Sequence, residues 1–175
     1  MSFSSDVKKE LVEIQVENNC CKKSLLYGMA LFSKSFSFRE VVFQSKSRAT
    51  AELYCSLLKE LCSIKAVIKA SPSGKIYTAS VKKAENVARI MSYFAHDKAE
   101  TSLRINFSNF DCEECQSAFL RGAFLACGAV SSPEKDYHLE FSVPYMNLSK
   151  SLVTCLQEKE LAPKVTHRKG YNIIY

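Results

Sequence analysis
The chain has 175 residues, 47% hydrophobic and 24% charged, with a net charge of +6 and only 5 Gly and 4 Pro. This composition excludes a disordered or loop-rich protein, and no run approaches the ~18 apolar residues that would span a bilayer. The eight cysteines include the adjacent pair Cys20 and Cys21, and the N-terminus shows no apolar leader; reduced thiols in a cytoplasmic protein are expected, not a disulfide framework. Charge is unevenly placed, with 17 Lys and Arg against 10 Asp and Glu up to Phe110, then 7 against 8 from Asp111 on. A basic face of that kind suits an anionic partner such as nucleic acid, but a solvated surface gives the same count.

In chain order, Phe3, Val7, Leu11 and Ile14 recur at helical spacing behind Ser4 and Ser5 as caps, which predicts an amphipathic N-terminal helix over residues 1–18. A buried helix follows Asn18-Asn19 and ends near Ser35. Phe38 to Ser45 reads as a strand, Arg48 to Cys62 as a helix with Leu53, Leu57, Leu58 and Leu61 inward. Ile64 to Ala70 and Ile76 to Val81 read as strands joined at Pro72-Ser73-Gly74. Lys83 to Phe94 closes the unit as a helix, with Val87, Ile90, Met91 and Phe94 on one side. Residues 97–111 read as a linker containing a short structured piece. The pattern then restarts: a buried helix from Cys115 to Val130, a strand from Tyr137 to Val143, a helix from Met146 to Leu161, and a hairpin of Lys164 to Lys169 and Tyr171 to Tyr175 turning at Gly170.

Ala118, Gly122 and Ala126 fall at i, i+4 and i+8, a ridge of minimal side chains that lets another backbone come close. The helix from Ser24 to Phe32 is its counterpart. Placing Cys21 on Cys115 brings Gly28 onto Gly122 without a gap, so the chain reads as an internal duplication, residues 19–96 and 112–175, meeting along Gly28, Phe32, Ala118, Gly122 and Ala126. The strands of two such copies would form one antiparallel surface. Alternation puts Ile64, Ala66, Ile68 and Ala70 on one face and Lys65, Val67 and Lys69 on the other. In the second copy Tyr137, Leu139, Phe141 and Val143 point inward, and Lys164, Thr166 and Arg168 share a face.

A pair of glycine-containing helices, each leading into an α-β-β-α-β-β-α type unit, resembles the LAGLIDADG homing-endonuclease fold. That α+β fold pairs its helices at a pseudo-two-fold axis and uses its antiparallel strands as a DNA saddle. More narrowly, Ser2 to Leu11, Leu120 to Ala126 and Pro133 to Glu140 resemble the WhiA family. The residues alone give α-β-α-β-β-α for each copy. The resemblance implies a DNA-binding regulator linked to sporulation, or to cell division and chromosome segregation, associated with the nucleoid. It also implies a last helix and a C-terminal helix-turn-helix domain beyond Tyr175. Candidate saddle contacts are Lys46, Arg48, Lys65, Lys69, Lys75, Lys164, Arg168 and Lys169, with double-stranded DNA as partner and no membrane or small-molecule substrate.

Endonucleases of this type place a metal-binding acid near the end of each paired helix. Laying the nine-residue motif on Leu120 to Gly128 puts Cys127 there, and laying it on Leu26 to Lys34 puts Ser33 there. Neither is a hard anionic ligand, so no cleavage is expected. Glu40, Glu134 and Asp136 lie beyond the helices with no pairing in their spacing. Cys20, Cys21, Cys112 and Cys115 sit before the two helices and are a weak Zn²⁺ candidate; an adjacent pair is poor chelate geometry, packing is the preferred role, and no cofactor is expected. His96, His138 and His167 are expected at the surface. Arg121 is expected to pair with Glu113, Glu114 or Glu140, or to reach a phosphate. The alternative function is a scaffold that docks protein regulators with negligible DNA binding; an active endonuclease ranks last.

Overall fold
The computed structural model describes residues 2–175. Helix α1 (Phe3–Glu13) starts at Ser2, whose side chain accepts from the Ser5 amide; Ser4, expected as a cap, instead accepts from the Val130 amide at 3.2 Å. The first repeat follows as α2 (Asn19–Leu31), β1 (Ser35–Phe36), β2 (Val41–Ser45), α3 (Arg48–Cys62), β3 (Ile68–Ala70), β4 (Tyr77–Val81) and α4 (Ala84–Tyr93). The second is α5 (Glu113–Cys127), β5 (Gly128–Val130), β6 (Leu139–Val143), α6 (Met146–Gln157), β7 (Val165–Arg168) and β8 (Tyr171–Ile174). Each unit thus has one strand more than the α-β-α-β-β-α reading. The extra strands β1 and β5 are two and three residues long, too short to show a period of two; β5 continues directly from the end of α5, and three residues separate β1 from the end of α2.

The strands form two four-stranded antiparallel sheets, ordered β1-β2-β4-β3 and β5-β6-β8-β7. They are separate sheets related by the repeat, where one continuous surface was expected. One buried core runs through both repeats, from Leu25, Tyr27 and Phe43 to Phe119, Leu152 and Ile174. In β6 only Phe141 and Val143 are buried; Tyr137 and Leu139, expected inward, are 89% and 48% exposed because they lie at and before the frayed start of the strand.

The second half of the 97–111 segment packs on the core, while most of its residues are exposed. Ile105 and Asn109 are buried, a 3₁₀ turn spans Phe107–Asn109, and the Asn109 amide donates to the Phe94 carbonyl at 2.9 Å. His96, expected at the surface, is buried: Nε2 lies 2.7 Å from the Tyr27 hydroxyl and Nδ1 3.0 Å from Glu100. The Tyr27 hydroxyl also accepts from the Asn106 amide at 2.8 Å. Buried polar groups need such partners, and here the partners tie the inter-repeat segment to α2.

Candidate nucleic-acid interface
The site is organised by the crossing of α2 and α5. A Cβ built on Gly122 would stand 2.2 Å from the Leu25 carbonyl oxygen and 3.2 Å from the Gly28 Cα; one on Gly28 would stand 2.2 Å from the Phe119 carbonyl oxygen and 2.8 Å from the Ala123 amide nitrogen. The helices therefore touch backbone to backbone, a contact that only glycine permits on both sides. Phe32 is buried with its ring 5.9 Å from that of Phe119. Ala118 and Ala126 fall on either side of the contact, each lining a recess at one end of α5.

This crossing fixes the sheets. In the first, the register puts Gln44, Thr78 and Lys69 in one row, with the Gln44 amide donating to the Thr78 hydroxyl at 3.1 Å. By alternation Lys69 faces out, opposite Phe43 and Ala79, which are buried; the strand expected from Ile64 begins only at Ile68, so Lys65 and Val67 are exposed in the irregular stretch ahead of it. Lys46 stands just past β2 and Lys75 in the turn before β4, both exposed. Arg48 opens α3 and is held by Glu52 at 2.9 Å, so its charge is already partnered.

In the second sheet, Thr166 pairs with Ile173, and Ile173 with Ser142, across the corresponding face. Lys164 exchanges backbone hydrogen bonds with Tyr175 at 2.7 and 2.9 Å. Arg168 lies 2.6 Å from Glu140, which also meets His138 at 2.8 Å. Burial opposes ionisation of Glu140, but hydrogen bonds from His138 and Arg168 outweigh it and bring the carboxyl below its usual range. Lys169, read as a strand residue, sits with Gly170 in the two-residue turn, both at positive φ (51° and 83°). It holds a cation at the tip of the hairpin. Most of the eight candidate cations thus lie on the outer faces or rims, whereas Arg48 and Arg168 are neutralised locally.

A recess of about 590 Å³ opens at the C-terminal end of α5, between Ala126 to Ala129, the end of β2 through Lys46, and the first turns of α1 with Lys8. Cys127 stands there, and burial pushes its thiol up to about 12 despite the neighbouring Lys8. Lys8 itself is lowered, chiefly by burial and further by Lys46, with Cys127 acting in the opposite direction. Two ammonium groups and a protonated thiol form a poor cradle for a divalent cation, which needs hard anionic oxygens. They suit a phosphate oxygen. Lys8 was missed in the sequence because nothing local marks which end of α5 the first helix covers. Ser33, the equivalent position of the first repeat, turns its hydroxyl to the Ser35 carbonyl at 3.0 Å. Glu134 and Asp136 are exposed between β5 and β6, and Glu40 meets Lys82 at 3.7 Å. Among the described residues, these carboxylates join no group that could hold a metal.

At the opposite end, Cys20, Cys21, Cys112 and Cys115 converge. Arg121 reaches none of the acids expected for it. Its Nη1 donates to the Ile14 carbonyl at 3.2 Å, where Ile14 is the C-cap of α1, so the cation meets the negative end of that helix.

A family profile described as the WhiA LAGLIDADG-like domain matches residues 116–175. Probable cell division protein WhiA of Clostridium botulinum is 33% identical over 192 residues, covering all of this chain and 60% of that protein. The protein of the same description from Syntrophomonas wolfei is 30% identical over 195 residues, again covering all of this chain and 60% of the relative. The chain thus spans about 60% of the length of the curated relatives it matches. Among solved structures, full-length DUF199/WhiA from Thermatoga maritima superposes with a TM-score of 0.76 at 20% identity, over 99% of this chain and 56% of that one. The homing endonuclease I-DmoI, solved with DNA and Mn, superposes with a TM-score of 0.55 at 19% identity, over 90% of this chain and 89% of that one. The fold is that of the LAGLIDADG homing endonucleases, and the sequence is similar to the WhiA LAGLIDADG-like domain.

Proposed function
We infer that this chain is a duplex-DNA-binding module that holds the backbone along its two outer sheet faces and does not cut it. The observation that carries this reading is the change of chemistry at the end of α5. Where the fold's endonucleases need an acid, Cys127 is protonated and Lys8 and Lys46 supply positive charge. A cation-binding centre has become a place for a phosphate, and the exposed Lys65 and Lys69 of the first repeat and Lys164 and Lys169 of the second add positive charge to the surface. The solved I-DmoI complex holds DNA on the same fold, which supports the sheets as the contact surface. Polar Gln44 and Thr78 in the Lys69 row give that surface groups able to meet base edges as well as phosphates. In the cell such a module acts at the nucleoid, serving cell division, chromosome segregation or sporulation through the DNA it holds.

The test is duplex binding by the 175-residue chain across a salt series, by fluorescence anisotropy. Lys65→Glu with Lys69→Glu lowers affinity at least ~10-fold and reduces the salt slope by about 2. An unchanged affinity and slope would remove the saddle from the account. Incubation with Mg²⁺ or Mn²⁺ leaves the duplex intact; cleavage lost in Glu134→Gln or Asp136→Asn would restore the endonuclease reading.

One observation favours a protein-docking role as a second reading. Tyr137, Leu139, Tyr145 and Met146 are exposed between 48% and 89% in the second repeat, at and just before the starts of β6 and α6. Salt-insensitive, micromolar-or-weaker DNA binding by the intact chain would favour that reading over the first.

A further inference from the structure
Four sulfur atoms from the two repeats meet at the N-terminal ends of α2 and α5. Cys20 and Cys21 lie in the first turn of α2, Cys112 is the N-cap of α5 and Cys115 lies in its first turn. The Cys112 Sγ is the hub, 3.6 Å from Cys20, 3.5 Å from Cys21 and 3.4 Å from Cys115, and all four sulfurs lie within 4.8 Å of one another. We propose that these four cysteines bind one Zn²⁺ as a structural tetrathiolate centre that clips the two repeats together at the helix starts.

The spacing suits a single ion. Four thiolates at the usual Zn–S length of ~2.3 Å sit about 3.8 Å apart at the corners of a tetrahedron. The observed separations bracket that edge, so small rotamer shifts close the site around one ion. An adjacent pair is a poor chelate when considered alone, because two neighbouring side chains on a helix diverge. The partner helix changes that judgement, since Cys112 stands within reach of both.

The surroundings favour thiolates. Neither helix has a side-chain hydrogen bond at its N-cap, at Asn18 or at Cys112. The positive ends of two helix dipoles therefore lie beside the sulfurs. The other four cysteines, Cys55, Cys62, Cys127 and Cys155, stand outside the cluster.

Coordination is balanced by proton release: Zn²⁺ and four thiols give a tetrathiolate of net charge −2 and four protons. No oxidant or reductant takes part. The clip joins positions 91 and 92 residues apart in sequence, from both sides of the Gly28–Gly122 crossing. It holds the same helix pair whose opposite end carries Lys8 and Cys127.

The test uses the 175-residue chain prepared under reductant without oxygen, stripped with chelator and titrated with Zn²⁺, and with Co²⁺ as a spectroscopic stand-in. One equivalent binds with release of protons. The cobalt form shows the intense visible bands of a tetrahedral thiolate site, Zn²⁺ displaces it, and the thermal midpoint rises. Cys112→Ser and Cys20→Ser abolish this stoichiometric binding, and Cys55→Ser and Cys127→Ser retain it. Circular dichroism of the stripped variants checks folding; if a variant unfolds, native mass spectrometry of the unaltered chain decides, with one bound zinc supporting the site. No uptake, an octahedral cobalt spectrum, uptake that survives Cys112→Ser, or disulfides formed within the cluster in place of metal binding under reductant would each overturn the proposal.

Discussion

At one end of the α2–α5 pair four thiols face one another across the helix starts; at the other, Lys8 and Lys46 crowd Cys127. The two ends share a backbone, a crossing and a pseudo-two-fold axis, yet one gathers soft donors fit for a cation and the other gathers cations fit for a phosphate. Helix polarity accounts for half of the difference. N-termini favour thiolates, while the C-terminal end of a helix favours nearby positive charge. The rest is the choice of side chain and the docking of α1, which brings Lys8 to a place where the endonuclease fold has an acid. The crossing itself is indifferent to that choice, so an interface can persist after the chemistry at its end has changed.

The comparison is broken most severely at the crossing that both ends share. Gly122→Leu or Gly28→Leu drives a side chain into the opposing backbone, whose nearest atom already stands 2.2 Å from a Cβ, and costs about 3 kcal/mol or more in chemical unfolding. Both poles fail together. Next in size, Lys8→Glu with Lys46→Glu acts on one pole only. It weakens duplex binding at least tenfold, about 1.4 kcal/mol, with the unfolding midpoint little changed, whereas Cys112→Ser leaves DNA affinity within about twofold if the poles act independently.

A pH series sharpens the same contrast. The folded pKa of Lys8 is lowered, so its charge is full below that value and is lost as pH rises through it, earlier than for an ordinary lysine at ~10.4. A bound phosphate favours the charged form. Duplex affinity therefore falls on the alkaline side, and Lys8→Arg, which keeps its charge, flattens that fall in a binding titration. The smallest effect belongs to the hairpin tip. Lys169→Asn suits the left-handed turn better and stabilises by about 0.5 kcal/mol, while removing one cation and lowering the salt slope by about 1.

The helix pair was legible in the sequence because its cause is local: Gly28 and Gly122 each sit in an apolar run where only close packing explains a missing side chain. Alternation suited β3 only in part: Lys69 lies in the strand, whereas Lys65 and Val67 fall in the irregular stretch before it. Three things were not legible. β1 and β5 are too short to carry a period, and β5 extends an apolar helix without a break. His96 looked like a surface residue because its partners, Tyr27 and Glu100, are set by how residues 97–111 fold back on α2. The place of Lys8 depends on how α1 docks, not on any spacing along the chain, whereas the four cysteines were grouped in the sequence as a weak Zn²⁺ candidate and the helix crossing supplies their distances.

The most direct test of the central claim, that the outer sheet faces and the Lys8 pole hold DNA, is a nuclear magnetic resonance titration of the isotopically labelled chain with a short duplex. The account predicts that amide shifts concentrate in β3, β4, the Lys169–Gly170 turn and around Lys8 and Lys46, leaving the cysteine cluster unmoved. Shifts confined to α3, α4 and α6, or no shifts at low salt, would contradict it.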